Sequence, residues 1–193
     1  MINIAITHIA SNLNQFLRHQ YELDEDIVVV SNLTEQDGSA STDVNNKLTI
    51  SLANVQKEST YTTNYPVRQS ESNFKPSSPY SLHLNLYFML AANFGGNSYS
   101  EGLKLLSSAA NYFQSHAVFD HQSSPELDKG IEKLVVDIEN LSIHDLSSLW
   151  GVLSGKYLPS VFYRLRMICM DSSTISGRVH KLREPVSDLK GQR

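Results

Sequence analysis

The run from Ser81 to Ala91 constrains the fold more than any other stretch of the chain. Leu82, Leu84, Leu86, Phe88 and Leu90 share one parity, and His83, Asn85, Tyr87 and Met89 the other. Period two means a strand, because successive side chains leave a pleated strand on opposite faces. The first face is wholly apolar and the second is apolar in its later half. Both then need cover, and the segment predicts a central strand with neighbours on each edge. The longest unbroken apolar run, Leu86 to Ala92, lies inside it and falls far short of the roughly 20 residues of a membrane span.

The remaining elements follow from period and punctuation. Ile2, Ala5, Ile6, Ile9, Leu13, Phe16 and Leu17 recur at three- and four-residue steps, predicting an amphipathic helix over 2–20. Glu22-Leu-Asp-Glu-Asp26 ends it, and Ile27-Val-Val-Val30 reads as a short strand because β-branched residues suit a pleated sheet. Leu48, Ile50 and Leu52 alternate with polar or small residues, predicting a half-buried strand over 47–55. After Gly95-Gly96, Ser98-Tyr-Ser-Glu101 has capping-box spacing, and Tyr99, Leu103, Leu106, Ala110 and Phe113 form a helical stripe. Residues 132–139 alternate with Leu134, Val136 and Ile138 inward. Ser142 caps a short helix whose apolar face is Leu146, Leu149, Trp150 and Leu153, with Gly155 as its stop. Ser160 to Met170 is a last long strand, in which Val161, Tyr163, Leu165, Met167 and Cys169 alternate with Phe162, Arg164, Arg166, Ile168 and Met170. Paired strands mixed with helices predict an α+β fold: a mixed, mainly antiparallel sheet flanked by about three helices. One domain over 1–170 accounts for these elements, followed by a polar basic tail over 171–193 with no persistent period.

Residues 56–79 interrupt that domain as a long polar arm. It carries Pro66, Pro76 and Pro79 and the spaced aromatics Tyr61, Tyr65 and Phe74. Loops this long are functional or disordered as a rule, so the two readings are a surface excursion and an arm ordered by a neighbouring subunit. Charge is distributed unevenly. Residues 1–155 hold 8 basic and 17 acidic side chains, whereas residues 156–193 hold 8 and 3. Charged residues make up only 19%, below the usual ~25%, and 27 serines and 14 asparagines fill the difference. The one cysteine, Cys169, excludes an internal disulfide framework and a cysteine-cluster metal site. Met1-Ile-Asn-Ile-Ala lacks the basic and apolar regions of a secretory signal, which leads to the expectation of a cytosolic start.

No residue pattern announces chemistry. His116, Asp120 and His121 stand within six residues and form the best candidate for metal binding or a small hydrolase. They fall where a helix gives way to a Ser/Pro loop, with no further ligand at metal spacing. The Gly-x-Ser-x-Gly elbow, the dinucleotide fingerprint and the P-loop are all absent. A nucleic-acid partner is disfavoured, since net charge is −4 and no aromatics interleave the basic tail. Arg164 and Arg166 are the most informative charges. Two apart in a strand, they project from one face, toward solvent or toward an acidic partner.

The segment Ser148-Leu-Trp-Gly-Val-Leu-Ser-Gly-Lys-Tyr-Leu-Pro-Ser-Val-Phe-Tyr-Arg-Leu-Arg-Met167 carries a further signal. Its Leu-Trp-Gly helix end, Gly-Lys-Tyr turn and Pro-Ser-x-x-Tyr-x-x-Arg strand resemble the tail-terminator, or cap, family of phage-tail-like contractile injection systems. The antifeeding prophage and the Photorhabdus virulence cassettes exemplify that family. The N-terminal helix with Val28-Val-Val-Ser-Asn, the Leu48-Thr-Ile-Ser-Leu-Ala-Asn-Val strand and Ser78-Pro-Tyr-Ser-Leu-His-Leu-Asn-Leu-Tyr-Phe-Met-Leu-Ala-Ala match in the same order, over roughly residues 1–170.

The resemblance implies a non-catalytic protein without a cofactor. Its members form a six-fold ring on the distal end of the inner tube, contact the last sheath layer, stop polymerisation and so fix length. Partners implied are the chain itself as a homo-hexamer, the tube protein, the sheath protein and a second cap protein, with neither nucleic acid nor membrane. The implied place is the cytoplasm during assembly and then the particle, retained or released. A tail-completion protein joining head and tail of a phage is the alternative. Candidate partner contacts are Lys156, Tyr157, Arg164, Arg166, Arg178, Lys181 and Arg183, and Tyr61, Tyr65 and Phe74 are candidate inter-subunit arm residues.

Overall fold

The computed structural model describes residues 1–34, 41, 44–58, 74–76, 83–153, 156–169 and 178–180. Among the described residues three helices, α1 (Ile2–Tyr21), α2 (Tyr99–Ser115) and α3 (Ile143–Val152), accompany eight strands: β1 (Val28–Val30), β2 (Lys47–Lys57), β3 (Phe74–Pro76), β4 (His83–Asn93), β5 (Val118–Asp120), β6 (Ile131–Ile138), β7 (Ser160–Cys169) and β8 (Arg178–His180). Six of them form one sheet in the order β1-β2-β4-β7-β6-β5, and β3 pairs separately with β8. β1 runs parallel to β2, while the other neighbours are antiparallel. The fold is α+β with a mixed sheet, and the Ser81–Ala91 segment supplies its central strand, as the alternation required.

One face of the sheet carries the main core. Leu86, Phe88 and Leu90 of β4 and Tyr163, Leu165 and Met167 of β7 meet Ile9, Leu13 and Leu17 of α1 and Leu105, Ala109 and Phe113 of α2. At its centre Phe88 stacks on Tyr163 with centroids 5.2 Å apart, and Phe113 meets Tyr163 edge-on at 5.2 Å. Such aromatic pairs contribute about 0.5–1.5 kcal/mol beyond the area they bury. The Tyr163 hydroxyl is fully buried there, and burial pushes its ionisation above the ordinary tyrosine range. The edge strand β1 is closed by a helix side chain. Buried Asn14 of α1 donates to the Val28 carbonyl at 2.8 Å and accepts from the Val28 N–H at 2.7 Å, so both outward-facing backbone groups of that residue are satisfied.

The second face of the sheet carries a smaller cluster under α3. Met89, Ala91, Leu33 and Trp150 are buried, flanked by Leu146, Leu149, Leu153, Leu158 and Phe162. Ser142 caps α3 as its spacing predicts, its hydroxyl accepting from the Asp145 N–H at 3.1 Å. The expected stop, Gly155, lies outside the described residues.

Four expectations need correction. Ser98 makes no side-chain cap, because Gly96–Ser98 is a 3-10 turn that feeds α2 directly. The buried face of α2 is Gly102, Leu105, Leu106, Ala109, Tyr112 and Phe113. Close packing of Phe94 on Gly102 turns the helix, leaving Tyr99 and Leu103 exposed. Leu52 is exposed because a register shift between Leu52 and Asn54 breaks the alternation of β2, and Ile138 is exposed at the end of β6. Finally, part of the arm and part of the tail are strands, β3 and β8, where the composition predicts loop.

Candidate interaction surface

Beyond the reach of α3, the second sheet face is polar. Register places Arg164 of β7 between Tyr87 of β4 and Asp137 of β6, and Arg166 between Asn85 and Val135. Both arginines therefore leave the same face, as their two-residue spacing predicts, beside Phe162 and Ile168. Phe162 stacks on Tyr87 with centroids 6.0 Å apart and forms the boundary with the apolar patch under α3.

The arginines meet carboxylates of their own chain. Arg166 Nη2 donates to Asp137 Oδ2 at 2.8 Å. Arg164 Nη2 lies 3.9 Å from that same oxygen, and its Nε lies 3.7 Å from Glu139 Oε2. All four side chains retain about one-third of their exposure, between 33% and 37%. Two positive and two negative charges thus cancel within one cross-strand network. Pairs this exposed are each worth a few tenths to about 1 kcal/mol. Asp137 and Glu139 were missed as partners, although β6 alternation assigns them the outward parity. Which strand faces β7, and in what register, is a tertiary fact that period alone does not supply.

Next to the network a groove of about 260 Å³ is lined by residues including Glu58, His83, Val118, Lys133, Val135 and Ile168. Glu58 of its lining accepts at Oε2 from Asn85 Nδ2 at 2.9 Å. At the opposite end of β7, Lys156 and Tyr157 are exposed, Tyr157 by 66%, and the Tyr157 ring meets the edge of buried Trp150 at 5.9 Å. Arg178 sits in β8, and Phe74 in β3. Tyr61, Tyr65, Lys181 and Arg183 lie outside the described residues.

The hydrolase candidates are occupied with local structure. His116 caps α2, stacks on Tyr112 at 4.8 Å and places Nδ1 3.3 Å from the Tyr112 carbonyl. Asp120 Oδ1 accepts from Ser123 N–H at 2.8 Å, Ser123 Oγ at 3.0 Å and Gln122 N–H at 3.0 Å. Those bonds, the Ser123 backbone first, hold its carboxyl below the ordinary range and build the turn that contains His121. Among the described residues no three His, Cys, Asp or Glu side chains gather to hold a metal ion. No described helix is long and apolar enough to cross a membrane.

A profile described as "Pvc16 N-terminal domain" matches residues 6–181, nearly the whole chain. The chain belongs to the Pvc16 N-terminal domain family. Its fold is also similar to that of a chain solved by cryo-EM and described as "an Extracellular Contractile Injection System, PVC sheath/tube terminator in extended state". The TM-score is 0.53 at 15% identity, over 98% of this chain and 65% of that one. The Pvc16-type domain thus spans about two-thirds of the solved protein's length, with the α+β architecture in common. None of the curated proteins matches the chain.

Proposed function

We propose that this protein is a structural terminator of a contractile injection system, ending the growth of sheath and tube. The observation that carries the reading is the Pvc16 N-terminal domain match over residues 6–181, supported by fold similarity to a sheath/tube terminator along 98% of the chain. The chemistry of the surface is compatible. Arg164 and Arg166 are neutralised at home, His116 and Asp120 serve a cap and a turn, and the exposed features are charges and isolated apolar side chains. That is equipment for contact, and the role is non-catalytic.

In this reading several copies form a ring at the distal end of the particle. A ring closes through heterologous contacts, in which one patch meets a different patch of the next copy. A terminator must bind the last tube and sheath layers while presenting nothing on which a further layer can build, and length follows from when it arrives. Lys156, Tyr157, the Arg164/Arg166 face and the basic segment with Arg178, Lys181 and Arg183 are the proposed contacts with tube, sheath, neighbouring subunit or a second cap protein. Tyr61, Tyr65 and Phe74 are proposed arm contacts between subunits. Assembly takes place in the cytoplasm before the finished particle is used or released.

The test is a strain that makes the particles with this coding sequence deleted. Tubes and sheaths of irregular length, restored by the tagged protein and with the tag located at one particle end by cryo-EM, are expected. Normal particle lengths in the deletion strain, or a tag spread along the tube, would overturn the proposal.

A further inference from the structure

The three helices are held to the sheet very unequally. Over its 20 residues α1 buries seven, and α2 buries six of 17. Of the ten residues of α3, Trp150 alone is buried. Leu146 and Leu149 are half-buried in the cluster on the second face. The other seven are exposed, Ile143 by 88% and Val152 by 80%. The main core on the opposite face draws on none of them.

Hydrogen bonding adds little to that attachment. The Ser142 hydroxyl bonds Asp145, and Ser148 Oγ donates to the His144 carbonyl at 3.0 Å, so both serve the helix itself. The bond to a neighbouring element comes after the helix end, where Thr34 Oγ1 donates to the Leu153 carbonyl at 3.2 Å. Inside the seat, polar groups are left over. Trp150 is 5% exposed, yet among the described residues nothing accepts from its Nε1. Thr49 is fully buried and lies directly opposite Ala91 of the cluster, so it leaves the same sheet face, and its hydroxyl has no partner among them either. Buried polar groups are bonded as a rule, and one without a partner weakens the state that buries it.

The helix cannot make up the difference alone. Ten residues fall below the about 12–15 at which an isolated helix becomes even marginal in water. Gly151, one turn from the end, weakens it further. Lifted from the sheet, α3 would not persist as a helix.

We infer that α3 is a latch on the second sheet face, which opens by local unfolding while α1, α2 and the six-stranded sheet stay folded. Closed, it covers the cluster of Met89, Ala91 and Leu33. Open, it uncovers that apolar floor beside Phe162, next to the Arg164/Arg166 network. The second face thus has two states, and the exchange between them leaves the main core untouched. The latch follows from this chain's own packing and goes beyond the terminator reading, which stands or falls separately.

Hydrogen exchange of the full chain, followed by mass spectrometry, tests it. After correction for local sequence, α3 amides are expected to exchange about 100-fold or more faster than those of β4 and α1, because local opening needs less free energy than global unfolding. Urea at about 1 M should speed β4 exchange about tenfold or more and α3 exchange about threefold at most, since local opening exposes far less surface. Protection of α3 equal to that of β4, or acceleration by urea in step with β4, would overturn the latch. Gly151→Ala checks the route. Its Cβ would meet nothing within 4 Å, and the preference of a helix for alanine should slow α3 exchange about fourfold. Unchanged α3 exchange in that variant would overturn local unfolding as the way the latch opens.

Discussion

Replacing Gly102 by alanine sets two physical rules against each other. Helix propensity favours the change, since alanine in a helix interior is better than glycine by about 0.8–1.0 kcal/mol. Packing opposes it. A Cβ built on Gly102 would lie 2.7 Å from Phe94 Cβ, Cγ and Cδ2, and Phe94 itself is 7% exposed. The nearest atoms include one bound directly to the backbone of Phe94, so a rotamer change cannot clear the clash and the segment between β4 and α2 must move. Overpacking of this kind costs about 1–3 kcal/mol, and a contact that close belongs in the upper part of the range. The net expectation is a loss of about 1–2 kcal/mol, which for a chain of this size lowers Tm by about 2–8 °C. Thermal unfolding followed by circular dichroism measures it, with a urea titration to confirm that the midpoint falls at constant m value. Gly151→Ala is the control, because its Cβ would meet nothing within 4 Å. That variant should hold or raise Tm. If Gly102→Ala also held or raised Tm, the packing account of why α2 turns its Gly102 face inward would be refuted.

Two further outcomes follow from the charges. In a double-mutant cycle, Asp137→Ala and Arg166→Ala should show a coupling of about 0.5–1 kcal/mol, the upper part of the range for exposed pairs, because their bond is 2.8 Å and only one-third exposed. Urea unfolding at low and high salt checks it, and additive effects would mean that the network does not hold the sheet face. His8 carries the pH prediction: it meets the edge of the Phe119 ring at 6.0 Å, and burial lowers its pKa from 6.5 despite the opposing pull of Glu126. The unfolded chain then takes up the proton first, so this group costs nothing above about pH 6.5 and lowers stability as pH falls below it. His8→Gln should flatten the loss of stability between pH 7 and pH 5 measured by urea midpoints, and an unchanged slope would assign that loss to other groups.

Much of the architecture was legible because it depends on local period. The α1 stripe, the central strand β4, the Arg164/Arg166 parity of β7 and the Ser142 cap each state their own geometry within a few residues. What the sequence concealed was set by partners elsewhere in the chain. The rotation of α2 depends on Phe94, the exposure of Leu52 on a bulge against β4, and β5 is only three residues long, too short to show a period. The pairing of β3 with β8 depends on two strands about a hundred residues apart, neither with an apolar alternation to announce it. The candidate surface divides along the same line. Both arginines were visible, but their neutralisation by Asp137 and Glu139 required the β6–β7 register.

That neutralisation changes what the basic excess after residue 155 can do. With eight basic side chains against three acidic ones, the last stretch of sequence invites a reading in which the whole of it faces an acidic partner. Arg164 and Arg166 are instead spent within the sheet, balanced by two carboxylates of the acidic body. The rest of the basic surplus is exposed Lys156, which precedes β7, and the basic residues from Arg178 onward in the sequence. Charge not already balanced within the sheet is therefore carried by Lys156 and the residues from Arg178 onward, while the Arg164/Arg166 face offers a partner a network already balanced by Asp137 and Glu139. Mutating the conspicuous arginine pair should then show up in stability as well as in association, and mutating Lys156 and Arg178 in association alone. The two measurements separate a charge that holds the fold from a charge that meets a neighbour.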